Sequence, residues 1–440
     1  MAVGFAGCAA SPPPRLDPPV APTAFKNAVA APTITVPDAW WQLFQDPQLD
    51  ALQAQLLIGN EDVRAAVGRV DAARAALGQL RAALQPLLGV TASATRADTG
   101  TSTQNTLRAD LTASWEPDLF GRLRGASNGG TARLQASEAD LAALRLTAQA
   151  TLVQNYLDLR AAEAQQALFE RSITAYERSL ALTQDRYKGG LVSVADVLQA
   201  DTQLRTAQVQ AVEAANTRAL AEHSIAVLLG QAPSNLNLTA TARLPAAPPV
   251  PALLPGSLLQ RRPDVRAAER RVVAAAAQVG VADAAFFPSL TLSASAGTRA
   301  SRLGSLFDGP SLVWSLGPAL AQKLLDGGAR SAASDQARAE AEQAASAYRK
   351  TVLLALQEVE DRLLLATQLQ TQQQLQARAL DAAQRLLDIT QEQYRVGTVS
   401  YLNVVTAQTA VLSSERSLLD LRARQLSATN QLLKNVAGRW

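Results

Sequence analysis

Few residues in this 440-residue chain could carry covalent or metal chemistry. There is one cysteine, Cys8, and one histidine, His223. A histidine-based metal site has no second imidazole to draw on. A lone cysteine forms neither an intrachain disulfide nor a thiolate cluster. His223 reads as a residue on a helix face. Asp326-Gly327-Gly328 precedes a helix but lacks the Lys-Ser/Thr continuation of a phosphate loop. It reads as a strand-to-helix turn matching Phe120-Gly121. No nucleophile–base pair stands out, and Met1 is the sole methionine, so a soft-metal relay has no ligands. The expectation is a chain that is no enzyme and holds no metal or resident cofactor.

The remaining chemistry sits at Cys8. Phe5-Ala6-Gly7-Cys8 resembles the bacterial lipobox, in which the cysteine is acylated and becomes the first residue. The alternative is an incidental cysteine in a disordered tail. A secretory signal has a charged n-region and a longer apolar h-region. Both are missing here, as a mis-assigned start or a trimmed chain would leave them. Ala9 follows Cys8, where Asp would be the usual signal for retention in the inner membrane. Residues 1–37, rich in proline from Pro12 to Pro37, read as an extended, mostly unstructured tether.

Lys and Arg number 41 against 38 Asp and Glu, a net charge of +3. The two signs interleave as on solvated helix faces, so no nucleic-acid footprint is present. Aromatics are 4% and Ala, Leu, Gln and Arg dominate, which favours long helices. No stretch approaches the ~20 apolar residues of a spanning helix. Any membrane crossing must therefore use strands.

The chain repeats itself. Asp62-Val63-Arg64-Ala65-Ala66 returns as Asp264-Val265-Arg266-Ala267-Ala268, and Tyr187-Lys188-Gly189-Gly190-Leu191-Val192-Ser193 as Tyr394-Arg395-Val396-Gly397-Thr398-Val399-Ser400. Residues 38–230 form the first unit, 231–263 a Pro-rich linker, 264–437 the second unit and 438–440 a tail. Each unit switches hydrophobic period midway. In the first, Asp38–Ile58 reads as a short helix interrupted at Pro47. Val63, Val67, Val70, Ala73, Leu77 and Leu80 then step by three and four along a second helix. Strands follow at about 87–97 and 106–116, alternating apolar with Thr, Ser, Arg and Asp. Gly121 to Lys188 is a helix close to ~100 Å long. It turns at Gly189-Gly190 and returns as Val194–Leu229. The second unit repeats this order, with strands at about 288–298 and 311–319, and turns at Gly397.

Such strands have membrane-spanning length, yet four cannot sit in a bilayer with open edges. Two chains would give eight strands, an interior filled by side chains. Three would give twelve strands and an open lumen. Trp115, Trp314, Phe286 and Phe287 lie near strand ends, where an aromatic belt belongs. The helices would then continue as a hollow cylinder rather than a solid bundle, because the apolar stripe is narrow, Ala-rich and not strictly heptad. The expected fold class is mainly α with β. A tandem-duplicated unit gives four amphipathic strands per chain to a trimeric 12-stranded β-barrel, continued by a long α-helical barrel.

Several motifs together resemble the TolC-like outer-membrane factor family of tripartite efflux systems, in its NodT-like lipoprotein branch. They are Trp41-Gln42-Leu43-Phe44-Gln45-Asp46-Pro47, Asp118-Leu119-Phe120-Gly121-Arg122, Arg261-Arg262-Pro263-Asp264-Val265-Arg266, Phe287-Pro288, and Tyr394-Arg395-Val396-Gly397 with Tyr401-Leu402. The resemblance spans residues 38–437. It implies a homotrimeric export duct in the outer membrane of a Gram-negative bacterium, with its helices in the periplasm. It also implies outer-membrane lipid, a periplasmic adaptor and an inner-membrane pump as partners. A soluble adaptor or scaffold lipoprotein with a coiled-coil hairpin is the alternative, disfavoured by four amphipathic strands.

In that family the tunnel narrows at the helix turns, here Tyr187–Ala200 and Tyr394–Ala407. Tyr394 and Leu402 fall where relatives place aperture residues. An Asp often lies one turn beyond that leucine, and Thr406 stands there instead. Leu402 is expected to form an apolar constriction with a neutral Thr406 ring beside it. Ser193-x-x-Asp196 and Ser400-x-x-Asn403 fit helix capping. For Asp196, capping and gating are compatible.

Overall fold

The computed structural model describes residues 22, 24–26, 37–98, 100–241, 243–249 and 261–436. The Cys8 motif, most of the tether, the middle of the linker and the tail lie outside them. Among the described residues the duplication is a helix, two strands and two long helices stated twice, with one further helix at the start of the first copy. Helices α1 (Pro47–Gly59) and α2 (Glu61–Ala82) lead into strands β1 (Leu87–Asp98) and β2 (Thr103–Trp115), then α3 (Arg122–Lys188) and α4 (Val194–Leu228). The second copy runs α5 (Pro263–Ala284), β3 (Ser289–Ala300), β4 (Leu312–Ala321), α6 (Ala329–Val396) and α7 (Tyr401–Val436). The long helices match closely, 67 residues in α3 against 68 in α6.

The compact units cut across the repeats. One unit holds residues 66–140 with 264–352, and the other holds 20–65, 141–263 and 353–440. Neither repeat can be a domain alone, because one sheet draws a strand hairpin from each.

In the first unit that sheet is antiparallel in the order β1-β2-β3-β4. The period-two pattern dictates its faces. Val90 faces Leu111, Ala296 faces Trp314, and Leu290 faces Leu320 on the apolar side. Thr91 faces Asp110, Thr112 faces Ser295, and Ser295 faces Ser315 on the polar side. Strand β2 begins earlier than the sequence suggests. Asp98 accepts from the Gly100 amide at 2.9 Å and the Thr103 hydroxyl at 3.4 Å. That tight turn carries the ladder out to Asp98 and Thr103, through residues polar enough to read as loop.

Both long helices start on an aspartate from the preceding turn. Asp118 accepts from the amides of Leu123 and Arg124 at 3.1 and 2.8 Å, and Arg124 Nε adds a contact at 3.2 Å. Asp326 accepts from Gly328 and Arg330 in the same way. These bonds satisfy amides that lack partners inside the helix. Burial pushes the Asp118 carboxyl up, but the Arg124 and Leu123 amides and the Arg124 guanidinium outweigh it and hold it below the usual range. The Arg330 guanidinium does the same for Asp326.

In the second unit, Pro47 starts a helix rather than interrupting one. A 3-10 turn covers Trp40–Phe44, and Pro47 then opens α1, where its missing N–H costs nothing. Asp46 caps that helix through the Gln48 and Leu49 amides and also accepts from Tyr156 Oη at 2.6 Å. Trp40 is fully buried and donates to Asn430, which donates to the Ala150 carbonyl. The tether is not wholly free. Phe25 packs against Val359, Leu363 and Leu432, and the Lys26 amide donates to Glu360. In α2, Ala66 takes the buried place expected of Val67, which is exposed.

A buried ionic cluster pins the linker onto this unit. Arg160 donates to Glu163 at 2.6 Å, to Tyr156 Oη at 2.8 Å, to Gln48 and to the Thr239 carbonyl. Arg218 donates to Glu163 at 3.2 Å, to Glu222 at 3.0 Å and to the Leu238 carbonyl at 2.6 Å. Glu163 also accepts from the Thr241 amide. Arg160 and Glu163 are almost completely buried, so each depends on the other's charge.

Glu163→Gln removes the carboxylate shared by Arg160 and Arg218. It should cost about 3–5 kcal/mol, read as a lower melting temperature by circular dichroism. A loss within about 0.5 kcal/mol would remove the cluster's structural role. The Asp118 cap has a pH signature. Its folded pKa is depressed, so its stabilisation is present above the ordinary carboxylate value of about 4. It is lost as pH falls through the lower folded value. Asp118→Ala should cost about 1 kcal/mol at neutral pH and show a smaller loss of melting temperature between neutral and strongly acidic pH.

Candidate functional site

The two hairpin turns at the far ends of α3 and α6 are built alike. At the first, the Leu191 amide donates to the Arg186 carbonyl and the Gly190 amide to Tyr187, both at 2.9 Å. At the second, Thr398 donates to Gln393 at 2.9 Å and Gly397 to Tyr394 at 3.0 Å. Each is a Schellman closure with a left-handed glycine, Gly190 at φ +72° and Gly397 at φ +85°. Gly189 precedes the first of these, and its position does not need the left-handed region.

The helices that return from the turns start differently. Ser193 caps α4 with the full box: its hydroxyl accepts from the Asp196 amide, and Asp196 Oδ2 accepts from the Ser193 amide at 3.0 Å. Asp196 is thus engaged at home. At α7 the Ser400 and Asn403 side chains meet at 3.5 Å, and the Asn403 amide donates to the Ser400 carbonyl at 3.1 Å. Asparagine replaces the charged partner of the first tip with a neutral one.

Between the two hairpins lies a cluster that the repeats do not share. Tyr394 is buried, its ring 5.4 Å from that of Tyr401. Tyr401 is buried too, and its hydroxyl lies 3.1 Å from Ser179 Oγ on α3. Burial raises the Tyr401 pKa although the Ser179 bond lowers it. Ala200, Val404 and Val405 complete the packing. Arg186 of α3 stacks over the Tyr394 ring at 4.5 Å and donates to the Tyr394 carbonyl at 2.6 Å. A weaker contact of 3.5 Å reaches the Arg395 carbonyl. A cation here meets the negative end of α6 and carbonyls without helical partners.

Tyr394 turns its ring toward Arg186 and Tyr401 within the chain. Leu402 and Thr406 are exposed, one turn apart on α7. Thr406 spends its hydroxyl on the Leu402 carbonyl at 2.9 Å. Arg186 was missed by sequence reasoning. Its signal was an asymmetry: Arg186 precedes one copy of the tyrosine motif and Gln393 the other.

The aromatic candidates sit at strand ends. Trp115 closes β2 and donates to the Leu84 carbonyl at 3.0 Å. Phe287 stacks on Phe120 at 4.9 Å, and Arg330 lies 5.5 Å over Phe286. These three mark the sheet end that adjoins the helices. Trp314, largely exposed, is the third residue of β4 and marks the opposite end. Among the described residues no group of three or more His, Cys, Asp or Glu could hold a metal, and no helix is long and apolar enough to cross a membrane.

Residues 52–231 and 254–438 match the family described as outer membrane efflux protein. A probable efflux pump outer membrane protein, TtgC of Pseudomonas putida KT2440, is 31% identical over 427 residues, spanning 95% of this chain and 88% of the relative. The solvent efflux pump outer membrane protein SrpC of Pseudomonas putida is 33% identical over 410 residues, spanning 91% and 87%. The solved outer-membrane channel OprN matches with a TM-score of 0.91 at 32% identity, over 96% of this chain and 98% of that one. The fold class read from the sequence, a duplicated unit giving four strands to a trimeric β-barrel continued by helices, is that of these channels. The chain belongs to the outer membrane efflux protein family, and it is a passive channel subunit of the Gram-negative outer membrane rather than an enzyme.

Proposed function

We propose that three copies of this chain close a twelve-stranded barrel in the outer membrane and a helical tunnel in the periplasm, whose tip opens and shuts like an iris. One observation carries this reading: the sheet ends in two strands, β1 and β4, each paired on one side only, while one face of the sheet is apolar. In hydrocarbon such edges must be paired, and other copies of the same edges supply the partners.

The helices support the same assembly. On α6, Leu353, Leu364, Leu375 and Leu386 recur every eleven residues, all about half exposed. On α4, Leu198, Val209 and Leu220 keep the same step and are more exposed still. Eleven residues make three turns of about 3.67 residues, so each row runs nearly straight along its helix. Straight apolar rows suit helices laid side by side as staves of a wall.

At the tip, Leu402 forms the apolar constriction and Thr406 the neutral ring beside it. Arg186 and the buried tyrosines hold the ends of the two hairpins together, and Asp196 stiffens the start of α4. Acyl chains on Cys8 anchor the N-terminus. A periplasmic adaptor and an inner-membrane pump deliver cargo to the tip, and the pump selects it.

The detergent-extracted protein should run at about three times 46.4 kDa. Leu402→Cys should form a reductant-sensitive cross-link between copies and lower single-channel conductance. A detergent-free monomer would overturn the assembly, and a trimer that neither cross-links nor changes conductance would overturn the constriction. Arg186→Ala removes charge-assisted bonds to a helix end worth about 1.5–3 kcal/mol. It should raise resting conductance in planar bilayers, whereas Arg186→Lys, which keeps the charge, should raise it less.

A further inference from the structure

Charge is sparse on the four strands, and the register sorts it. Arg96 and Asp98 on β1, Arg108 and Asp110 on β2 and Arg299 on β3 are the charged residues, and β4 has none. Arg96 lies opposite Asn105 on the apolar face, near the loop end. Asp98 is consumed by its turn. Arg108, Asp110 and Arg299 occupy the polar face, with Thr91, Ser93, Thr112 and Ser295.

Arg108 and Arg299 are direct cross-strand partners. Like charges placed directly opposite each other destabilise a sheet. Asp110 offsets part of this, its Oδ2 lying 3.3 Å from Arg108 Nε. Asp110 in turn faces Gly297, and a Cβ there would approach Asp110 Oδ1 to 2.5 Å. A glycine at 297 therefore keeps room for the carboxylate. Arg299 is exposed, and among the described residues it makes no ion pair. Two guanidinium groups thus stand against one carboxylate, a surplus of one positive charge per chain on a face otherwise lined by neutral residues.

We propose that Arg108, Arg299 and Asp110 form a cationic ring in the barrel lumen that favours anionic over cationic solutes. This rests on the trimeric-barrel reading, with the polar face turned inward. Strand spacing and tilt give a twelve-stranded barrel a backbone radius of about 12 Å. Arginine side chains reach well into that space. The axis therefore lies within about one Debye length of the guanidinium groups at physiological salt, ~8 Å. Rings of fixed charge at such distances set ion preference, and arginine rings favour anions.

The test is the reversal potential of the full-length channel in planar bilayers under a potassium chloride gradient. The double variant Arg108→Ser, Arg299→Ser should lower the chloride-to-potassium permeability ratio by about twofold or more. Asp110→Asn keeps both arginines and should raise the ratio. Both differences should shrink as salt rises from about 0.1 M to about 1 M and the screening length falls to about 3 Å. Conducting variants with the wild-type ratio would overturn the ring. A wild-type protein that extracts as a monomer and passes no current would instead overturn the barrel beneath it.

Discussion

Unsatisfied backbone groups govern this structure more than any side chain does. A bilayer offers no water to an N–H or C=O, so a strand placed there must be paired on both sides. One chain supplies four strands and leaves two edges unpaired. The sheet also draws a hairpin from each half of the duplication, so neither half can fold its strand pair as a finished object. The long helices inherit the same incompleteness, since rows of leucine on α6 and of leucine and valine on α4 remain half exposed or more in the single chain.

Within the chain, polar groups are used where a long helical structure most needs fixing. Helix starts are held by aspartates from the preceding turns, Asp118 and Asp326 at α3 and α6 and Asp46 at α1. Helix ends at the tip close on left-handed glycines. The linker is tied down by the Arg160–Glu163–Arg218 cluster, which is deep enough that each ion relies on its neighbours rather than on water.

Much of this was legible in the sequence because repetition made it so. The strand alternation, the helix spans and both turns follow from period and glycine placement, and their bounds shift by only a few residues. What stayed hidden depended on contacts distant in sequence. Phe25 meets Leu432 and Arg186 meets Tyr394 across more than two hundred residues, and no local pattern announces either. Tyr394 looked like its repeat mate Tyr187, yet Tyr187 is exposed and Tyr394 buried. Similar letters in two copies do not guarantee similar surroundings once Arg186 favours one of them. Pro47 misled for the opposite reason: the same residue that breaks a helix interior is well suited to a first turn.

That inequality between the two tips has a consequence for anything that docks on them. The three-copy ring proposed above would present six hairpin ends, alternating between two kinds. One kind carries an exposed tyrosine and a charged capping box, the other a buried tyrosine and a neutral serine–asparagine pair. The ring is six-fold in outline and three-fold in chemistry. A six-fold symmetric ligand would meet two chemically different seats in alternation. A ligand built as three non-identical pairs could match every seat at once.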